Sequence, residues 1–596
     1  MSGGPKAPPD IPKKNIRFMR QSSDSSARAA GLILVLLGLG TALCYAAALT
    51  RFPLLAIYAQ PIQNIEKLTK ADPWTGLALT GWTLLVFAGY TVGAVVLARQ
   101  ARDQATKGSG ERGISRSPNR MGRWTVAALV GFPLIFLALL ALVYPTTSVD
   151  LYDYMFRGRM LAHYQANTFI QVPTEFKTDP LFWYVAWRKA VTAYGPLWEG
   201  MSWLTARLAG EQPDRLLYGQ EAQYQALLHL MLAYKGLSAL GFLGCGAAIW
   251  ATLQRTAVEW RWLGLYLWLW NPLALWESLA AGHNDAWMAM LIVLAVGLLV
   301  PRQADWKIDR QRDNSSLSPA LPASLSVCIA AFLILTAGGL VKFLALMFGP
   351  LLLSAALRRL PDWRTRLRLV LAGGLACLAA VVLAYAPFWV GWGTLQNFGD
   401  RGALFTSSWL AALQAPISSE TIHALLHVRD LLALLSFFSQ PSEAISQAIA
   451  VSIGLGLLVF GVLWASGLAW RAPEDVAAHA LWLLLWFLFL CNPWFQPWYL
   501  LWALALLAIQ PWRGQHAWAV GLFCATAMLS YLSGAFLLPL LGWKDSSAEW
   551  NALTSALIYG PPLLLLLPGW RFGLARLQRA LTPGERRARE KEIIGG

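Results

Sequence analysis

The sequence predicts an all-α polytopic membrane protein, and three observations support that fold class. The chain has 596 residues, of which 57% are hydrophobic and only 13% are charged, so a soluble domain of this length could not bury its apolar surface. Apolar runs long enough to cross a hydrocarbon core, which needs about 20 residues, recur from end to end. Each span must satisfy its own backbone hydrogen bonds, which favours helices. We therefore expect about 14 transmembrane helices, within a range of about 12 to 14.

The net charge of +16 indicates how the chain is oriented and does not indicate a nucleic-acid partner. When successive apolar runs are assigned to alternate sides, most Lys and Arg residues fall on the side that holds both termini. That asymmetry predicts cytoplasmic termini in a multi-pass protein of the cell (cytoplasmic) membrane, with basic residues near anionic lipid headgroups. The six cysteines lie in or beside apolar runs without CxxC spacing, so they predict neither a disulfide framework nor a metal site.

The apolar runs divide the chain into a membrane domain between two polar tails. Residues 1–28 are rich in Pro, Lys and Ser and predict a disordered cytoplasmic tail, and residues 571–596 predict a basic cytoplasmic tail. Residues 29–570 form the predicted transmembrane domain. Within it, the outer segment 145–225 is too long for a plain connector and is rich in aromatic residues, so we expect helices that lie in the membrane interface.

The outer segment opens with acidic residues at helical spacing. Asp150, Asp153 and Arg157 would share one face of a helix. Asp150 stands between Val149 and Leu151 at the predicted membrane edge, where apolar surroundings would raise the proton affinity of its carboxylate, as a general base requires. Asp150 and Asp153 are therefore the candidate catalytic residues. The structural alternative is an interfacial helix that Asp150 caps and that an Asp153–Arg157 ion pair stabilises.

Three basic side chains follow on the same segment, namely Arg157, Arg159 and His163. A phosphate leaving group needs positive charge, and the fork of arginine donors matches phosphate oxygens. Arg157 and Arg159, together with Lys342 from a later apolar run, are the candidate residues for binding a donor phosphate. His163 is a candidate substrate-binding residue. The alternative is that the arginines snorkel to lipid headgroups.

Further polar and aromatic residues stand at the predicted outer ends of spans. They are the candidate substrate-binding residues Tyr194, Trp198, His283, Asn284, Asp285, Gln496 and Trp498. An aromatic belt at the interface and a solvated turn are the alternative explanations. His283 and Asp285 are too few ligands to define a metal site, so no cofactor is predicted and a role for a divalent cation stays open.

Two ionisable residues fall inside apolar runs, where such residues are rare and usually functional. Glu277 precedes the turn at His283, and Lys342 lies in a later apolar run. Lys342 would either pair with Glu277 or hold a phosphate.

The order of these motifs resembles the GT-C glycosyltransferases, most closely glycosyltransferase family 87 and the polyprenol-phosphate-mannose-dependent alpha-1,6-mannosyltransferases of lipoglycan assembly. The resemblance rests on Asp150-Leu-Tyr-Asp-Tyr154, Asn167-Thr-Phe169, Tyr194-Gly-Pro-Leu-Trp198, Asn271-Pro-Leu273 and Gly282-His-Asn-Asp285. It implies a GT-C-like bundle, a catalytic carboxylate at Asp150 and an active site that faces outward. It also implies a polyprenyl-phosphate sugar donor, usually carrying mannose. Thr168 departs from the proline that is usual in that family.

We accordingly expect an inverting transferase that moves a sugar to a lipid-linked or envelope glycan acceptor. Two other functions stay open. A lipid-linked sugar flippase or transporter would carry inverted repeats and polar residues near the bilayer midplane, whereas here no convincing repeat is evident and the polar residues collect at one face. An envelope glycan polymerase or ligase would use the same arginines on a polyprenyl-diphosphate donor. The sequence does not identify the sugar, the acceptor, the linkage or the oligomeric state.

Overall fold

The computed structural model describes residues 13–54, 73–109, 121–210, 220–302, 323–398, 408, 410, 441–541 and 548–566. Within these ranges the chain is almost entirely helical, and its one strand-like contact is a bridge between Pro53 and Val143. The predicted all-α fold class is therefore confirmed. The first helix begins at Lys13, inside the tail that the sequence predicts to be disordered, whereas residues 1–12 and 571–596 lie outside the described ranges.

The helices follow one another along the chain with mostly short connections. In order they are α1 (Lys13–Arg51), α2 (Pro73–Ser109), α3 (Arg123–Ala141), α4 (Asp150–Ala162), α5 (Pro196–Leu208), α6 (Gln220–Thr256), α7 (Arg261–Leu269), α8 (Pro272–Leu275), α9 (Asp285–Leu299), α10 (Leu325–Val341), α11 (Gly349–Arg359), α12 (Trp363–Arg368), α13 (Gly374–Tyr385), α14 (Pro441–Arg471), α15 (Val476–Trp486), α16 (Leu500–Ala508), α17 (Gly514–Leu541) and α18 (Ala548–Leu566).

Several helical segments have the length and composition of membrane spans. In the described part of the chain, seven qualify: Arg28–Arg51, Gly76–Ala105, Arg123–Ala141, Leu227–Thr256, Trp363–Phe388, Ala448–Arg471 and Pro473–Cys491. Shorter apolar helices cover Asp285–Leu299, Leu325–Val341, Pro497–Ala508 and Ala552–Leu566. These findings agree with a polytopic membrane protein, and the expected total of about 14 spans stays a prediction.

The outer surface of the bundle is apolar where a membrane would cover it. On α13, for example, the side chains of Leu375, Leu378 and Leu383 are exposed. Water would disfavour such a contiguous apolar surface, whereas hydrocarbon would not. α13 is therefore suited to contact lipid along its exposed apolar face.

The described part of segment 145–225 contains two α-helices, α4 and α5, and the start of α6, while their predicted position in the membrane interface stays a prediction. α4 is buried along nearly its whole length, including Arg157 and Arg159, which are each 1% exposed. It crosses α5 closely at Gly158, where an added Cβ would lie 2.7 Å from the carbonyl oxygen of Ser202. α5 begins with Pro196, which lacks an N–H and is therefore tolerated in a first helical turn. The close crossing fixes the direction in which the start of α4 points.

A helical hairpin made of α7, α8 and α9 brings a polar tip to the start of α4. Asn271 caps the start of α8, since its side-chain oxygen accepts a hydrogen bond from the N–H of Ala274 (3.1 Å). A π-helical turn, Trp276–Ala280, follows α8 directly. Such turns are uncommon and frequently occur at functional sites. α9 then leaves the tip and packs between α6 and α10.

Candidate active site

Asp150 is the first residue of α4, directly after the link from α3. Its N–H donates to the hydroxyl of Ser148 (3.1 Å), and Val149 is the residue in the capping position. The side chain of Asp150 is 17% exposed, so it is shielded but not sealed. Burial raises the pKa of this carboxyl group, while nearby His283 and Lys342 act in the opposite direction. Asp150 is therefore a helical residue with raised proton affinity, and the alternative in which it caps α4 is wrong.

Two tyrosines connect Asp150 to the hairpin tip. The hydroxyl of Tyr194 donates to Oδ2 of Asp150 (3.3 Å) and lies 3.1 Å from the hydroxyl of Tyr154. The Tyr154 hydroxyl in turn donates to Oδ1 of Asn284 (3.5 Å). The two tyrosine rings meet edge to face, with centroids 5.1 Å apart. This chain of hydroxyls joins three separate sequence motifs at one carboxylate.

The backbone around Gly195 holds Tyr194 in place against the end of α10. The N–H of Gly195 donates to the carbonyl oxygen of Val341 (3.1 Å). A Cβ added at Gly195 would overlap the carbonyl oxygen of Leu340. Only glycine allows so close an approach of two backbones, which explains the glycine of this motif in physical terms.

His283 occupies the hairpin tip and is fully buried. Its ring stacks on Trp498, with centroids 4.0 Å apart and planes inclined by 23°. Nε2 of His283 lies 3.9 Å from Oδ2 of Asp150, and Nδ1 lies 3.0 Å from Oε2 of Glu277. Burial lowers the pKa of His283, which favours the neutral imidazole. The tip is fixed by Gly282, which has φ of +76° and whose carbonyl oxygen accepts from the hydroxyl of Ser238 (2.7 Å).

Lys342 pairs with Asp285 and not with Glu277, which corrects one of the two alternatives drawn from the sequence. Its Nζ lies 2.6 Å from Oδ2 of Asp285, a buried carboxylate at the start of α9. Lys342 ends α10 in an extended conformation, which directs its side chain across to the hairpin tip. Its Nζ also lies 5.5 Å from the ring centroid of Tyr194 and 6.0 Å from that of Tyr499. The cation therefore borders the same small region as Asp150.

The two arginines of α4 make buried ion pairs of their own. Nε of Arg157 lies 2.7 Å from Oδ2 of Asp153, four residues earlier, as the structural alternative for this pair predicts. Nε of Arg159 lies 2.5 Å from Oδ2 of Asp179. Both guanidinium groups thus already have carboxylate partners. The catalytic role of Asp153 and the phosphate-binding roles of Arg157 and Arg159 stay predictions, and these contacts explain the residues structurally.

Three further candidates lie apart from Asp150 or inside the protein core. His163 follows the last residue of α4, about 20 Å along the helix from Asp150. Trp198 is buried and packs edge to face on Tyr154, with centroids 5.0 Å apart. Gln496 is half-buried, two residues before Trp498. Their substrate-binding roles stay predictions.

The structure thus brings one subset of the candidates together around the hairpin tip. We call it the tip cluster, and it comprises Asp150, Tyr154, Tyr194, Glu277, His283, Asn284, Asp285, Lys342 and Trp498. In the described part of the chain, no group of three or more His, Cys, Asp or Glu side chains is arranged to hold a metal ion.

Sequence reasoning missed one buried acid beside these motifs. Glu199 is 1% exposed and accepts hydrogen bonds from the hydroxyls of Thr168 (2.8 Å) and Thr192 (2.6 Å). Its only sequence signal is that it directly follows the Tyr194–Trp198 motif. Thr168, where the chain departs from the proline usual in the resembled family, supplies one of its two donors.

An apolar cavity adjoins the tip cluster. Its volume is about 50 Å³, and its walls include Tyr45, Ala48, Trp82, Thr147, Trp276 and Tyr531. Trp276 precedes Glu277 in the chain, and Thr147 stands three residues before Asp150. A long apolar ligand could therefore approach Asp150 from the side of α1 and α2.

A shielded carboxylate, an imidazole and a cation meet in a bundle of membrane-type helices, an arrangement that fits the membrane glycosyltransferase expected from the sequence. The particular family follows from a family model described as alpha-(1->6)-mannopyranosyltransferase, N-terminal domain, which matches residues 28–358. Because this match covers more than half of the chain, the protein belongs to that mannosyltransferase family. The resemblance drawn from the motifs is thereby confirmed. A search of curated proteins found no match.

Proposed function

We propose that this mannosyltransferase moves mannose from a polyprenyl-phosphate donor to a lipid-linked or envelope glycan acceptor, with inversion at the anomeric carbon. The observation that carries the proposal is the position of Asp150, which is shielded, bonded to Tyr194 and close to both His283 and the apolar cavity. The distribution of Lys and Arg supports a reaction at the outer face of the cytoplasmic membrane.

Asp150 acts as the general base in this reaction. Its carboxylate takes the proton of an acceptor hydroxyl, and that oxygen forms a bond to the anomeric carbon of the donor. The bond between the anomeric carbon and the phosphate oxygen breaks on the opposite side, and its electron pair leaves with the phosphate. Burial supports this role because it raises the pKa of Asp150 towards the range in which a base works well.

Lys342 stabilises the leaving phosphate. The lysine is the one cation that contacts the acids of the tip cluster in the described residues, and its side chain is 13% exposed, so an anion can reach it. A preorganised positive charge beside a leaving group lowers the barrier because the charge that develops is already matched. The arginines of α4 support this role less well, since their side chains are only 1% exposed, whereas Lys342 keeps an exposed edge in spite of its pairing with Asp285.

The apolar cavity receives part of the isoprenoid chain. Its walls are almost wholly hydrophobic, and several of them belong to helices long and apolar enough to cross a membrane. Thr147 and Trp276 in these walls are close in sequence to Asp150 and Glu277, so the phosphate of a donor whose hydrocarbon chain lies there would be near the tip cluster. This arrangement supports a lipid-borne donor over a water-soluble nucleotide sugar.

Asp150→Asn tests the proposal directly in purified protein with radiolabelled polyprenyl-phosphate mannose. The wild type should form a new glycosidic bond, and the variant should lose about 100- to 10,000-fold in rate, the usual contribution of general acid–base catalysis. Asp475→Asn, the same change at a half-exposed carboxylate that pairs with Arg513, is the matched control and should keep full activity. An active Asp150→Asn variant would remove Asp150 from the mechanism.

The same assay separates the alternative functions. Transport of the donor across a bilayer without bond formation would favour a flippase. Stronger competition by polyprenyl diphosphate than by the monophosphate would favour a polymerase or ligase.

A further inference from the structure

Glu277 and His283 form a buried pair for which the reaction described above has no use. Both side chains are 0% exposed, and Oε2 of Glu277 lies 3.0 Å from Nδ1 of His283. The π-helical turn Trp276–Ala280 carries Glu277, and the N–H of His283 donates to its carbonyl oxygen (2.9 Å). A carboxylate is costly to bury in an apolar helix, so its presence there calls for a function.

The contacts of His283 determine which ring nitrogen carries the proton. Nδ1 also lies 3.3 Å from the backbone carbonyl oxygen of Glu277, and a carbonyl oxygen only accepts hydrogen bonds. Nδ1 is therefore the protonated nitrogen of the neutral ring. Nε2 then carries a lone pair, and it has no hydrogen-bond partner among the described residues. That lone pair faces Oδ2 of Asp150 at 3.9 Å. The carboxylate oxygens of Glu277 make no hydrogen bond to the ring, so Nδ1–H is held by the backbone carbonyl oxygen alone.

The rest of the ring is held as firmly as its Nδ1 edge. Trp498 covers one face, and Gly282 fixes the backbone immediately before the ring. A side chain at Gly282 would lie 2.8 Å from a methyl group of Leu151, the residue after Asp150. The hairpin tip and the start of α4 are therefore packed without room for the ring to swing away.

We propose that Glu277 is a positioning residue of the transferase: its backbone carbonyl oxygen holds Nδ1–H of His283 so that Nε2 receives the proton that Asp150 takes from the acceptor, and its carboxylate stabilises the charge that the ring then carries. This inference rests on the proposed function. The acceptor O–H bond breaks as the O–H bond of Asp150 forms, and the proton then moves from Asp150 to Nε2. The resulting imidazolium is stabilised by the carboxylate of Glu277, and its proton leaves to solvent with the product.

Several charged groups besides these two face His283. Asp150 faces it from α4, Asp285 from α9 and Lys342 from the end of α10. Tyr531 of α17 stands beside Glu277. Lys342 disfavours an imidazolium, whereas Asp150, Asp285 and the backbone carbonyl oxygen of Glu277 favour it. The Glu277 carboxylate is the acid whose oxygen lies nearest to a ring nitrogen.

Glu277→Gln tests the inference in the transfer assay, with Glu199→Gln as the matched control. Both changes remove a fully buried carboxylate, but Glu199 is held by Thr168 and Thr192 and does not contact His283. We expect kcat to fall about 10- to 100-fold in Glu277→Gln with KM unchanged, as for other residues that orient a histidine. Glu199→Gln should keep the kcat of the wild type per folded molecule.

The transfer assay distinguishes a failure of the positioning role from a failure of the proposed function. If Glu277→Gln only lowers the melting temperature and leaves kcat per folded molecule unchanged, the positioning role is overturned. If the wild type transfers no mannose at all, the proposed function fails first.

A second measurement does not depend on activity or on the folding of a variant. In protein labelled with ¹⁵N-histidine, which has seven histidines, the His283 signals should show the proton on Nδ1 at neutral pH. His283→Gln assigns those signals by their loss. A proton on Nε2 in the wild type would overturn the inference.

Discussion

At the scale of single residues, the proposed reaction depends on how strongly Asp150 holds a proton. Burial raises its pKa above the ordinary value of an aspartate, which is about 3.9. A solvated aspartate would be fully ionised and weakly basic at neutral pH. The shielded position beside Val149 and Leu151 therefore gives the carboxylate a chemical use that its residue type alone would not.

The pH dependence of the reaction should report this shift. A general base must be deprotonated, so kcat/KM should fall as the pH decreases through the raised pKa of Asp150 and reach a plateau above it. The test is to measure kcat/KM for the donor across the acidic pH range at a saturating concentration of the acceptor. An acid limb at or below the ordinary aspartate value would contradict the assignment of Asp150 as the base.

Variants of the Lys342–Asp285 pair can separate its contribution to protein stability from its contribution to mannose transfer. Lys342→Met should lower the free energy of unfolding by about 3 kcal/mol, because it leaves Asp285 buried without its counter-charge. The double variant Lys342→Met/Asp285→Asn should recover most of that stability in thermal unfolding. Transfer should remain lost in the double variant, because no cation is left for the phosphate. Recovery of full activity there would show that Lys342 has a structural role only.

At the scale of the structural elements, the site depends on close backbone contacts between helices that are distant in sequence. Gly195 lies against Leu340 and Val341, so the start of α5 and the end of α10 meet without side chains between them. That contact fixes Tyr194 beside Asp150 and, on the same stretch of α10, Lys342 beside Asp285. One backbone contact therefore aligns both the Tyr194–Asp150 and the Lys342–Asp285 pairs.

Gly195→Ala should disrupt the close contact between the start of α5 and the end of α10. The added methyl group overlaps the carbonyl oxygen of Leu340, so we expect a loss of about 2 kcal/mol in the free energy of unfolding and a clear loss of transfer. Gly200→Ala on α5 is the control, because a Cβ there meets nothing within 4 Å. It should be neutral or stabilise by up to about 1 kcal/mol. Equal melting temperatures for the two variants would contradict the close contact.

Parts of these elements could be predicted from sequence because they depend on local spacing. Apolar runs indicated the helices, and the separation of four residues indicated the Asp153–Arg157 pair, which the structure has. The partner of Lys342 could not be predicted, since several acids were equally compatible with an interior cation. The pairing of Arg159 with Asp179 likewise depends on how a segment of turns folds back on α4. Local patterns carry no information about such long-range choices.

At the scale of the whole molecule, the proposed polyprenyl-phosphate donor would have to enter the bundle from the membrane and reach a polar site. The cavity between α1, α2 and α17 fits that proposal, because its walls are apolar and include Thr147, three residues before Asp150. The span assignment and the motifs predicted a site at the ends of helices. They could not predict where the cavity lies, because its walls come from five separate regions of the chain.

Filling the cavity should impair long donors more than short ones. Ala48→Phe places a ring among the cavity walls, so we expect KM for a full-length polyprenyl-phosphate mannose to rise about 10-fold, equivalent to about 1.4 kcal/mol. A donor with a short isoprenoid chain should be little affected. Ala47→Phe, next to it but outside the cavity, is the control. Equal effects on both donors would place the lipid elsewhere.

The stacking of Trp498 on His283 has a consequence for how this enzyme can be divided. The matched family region ends at residue 358 and already contains Asp150, Glu277, His283 and Lys342. The indole that covers the imidazole, however, comes from far beyond that boundary. A fragment that stops near residue 358 would retain every ionisable group of the reaction and yet leave the histidine uncovered. We therefore expect the full-length chain, and not such a fragment, to be catalytically active. Two separately produced halves would have to reassociate before they could turn over substrate.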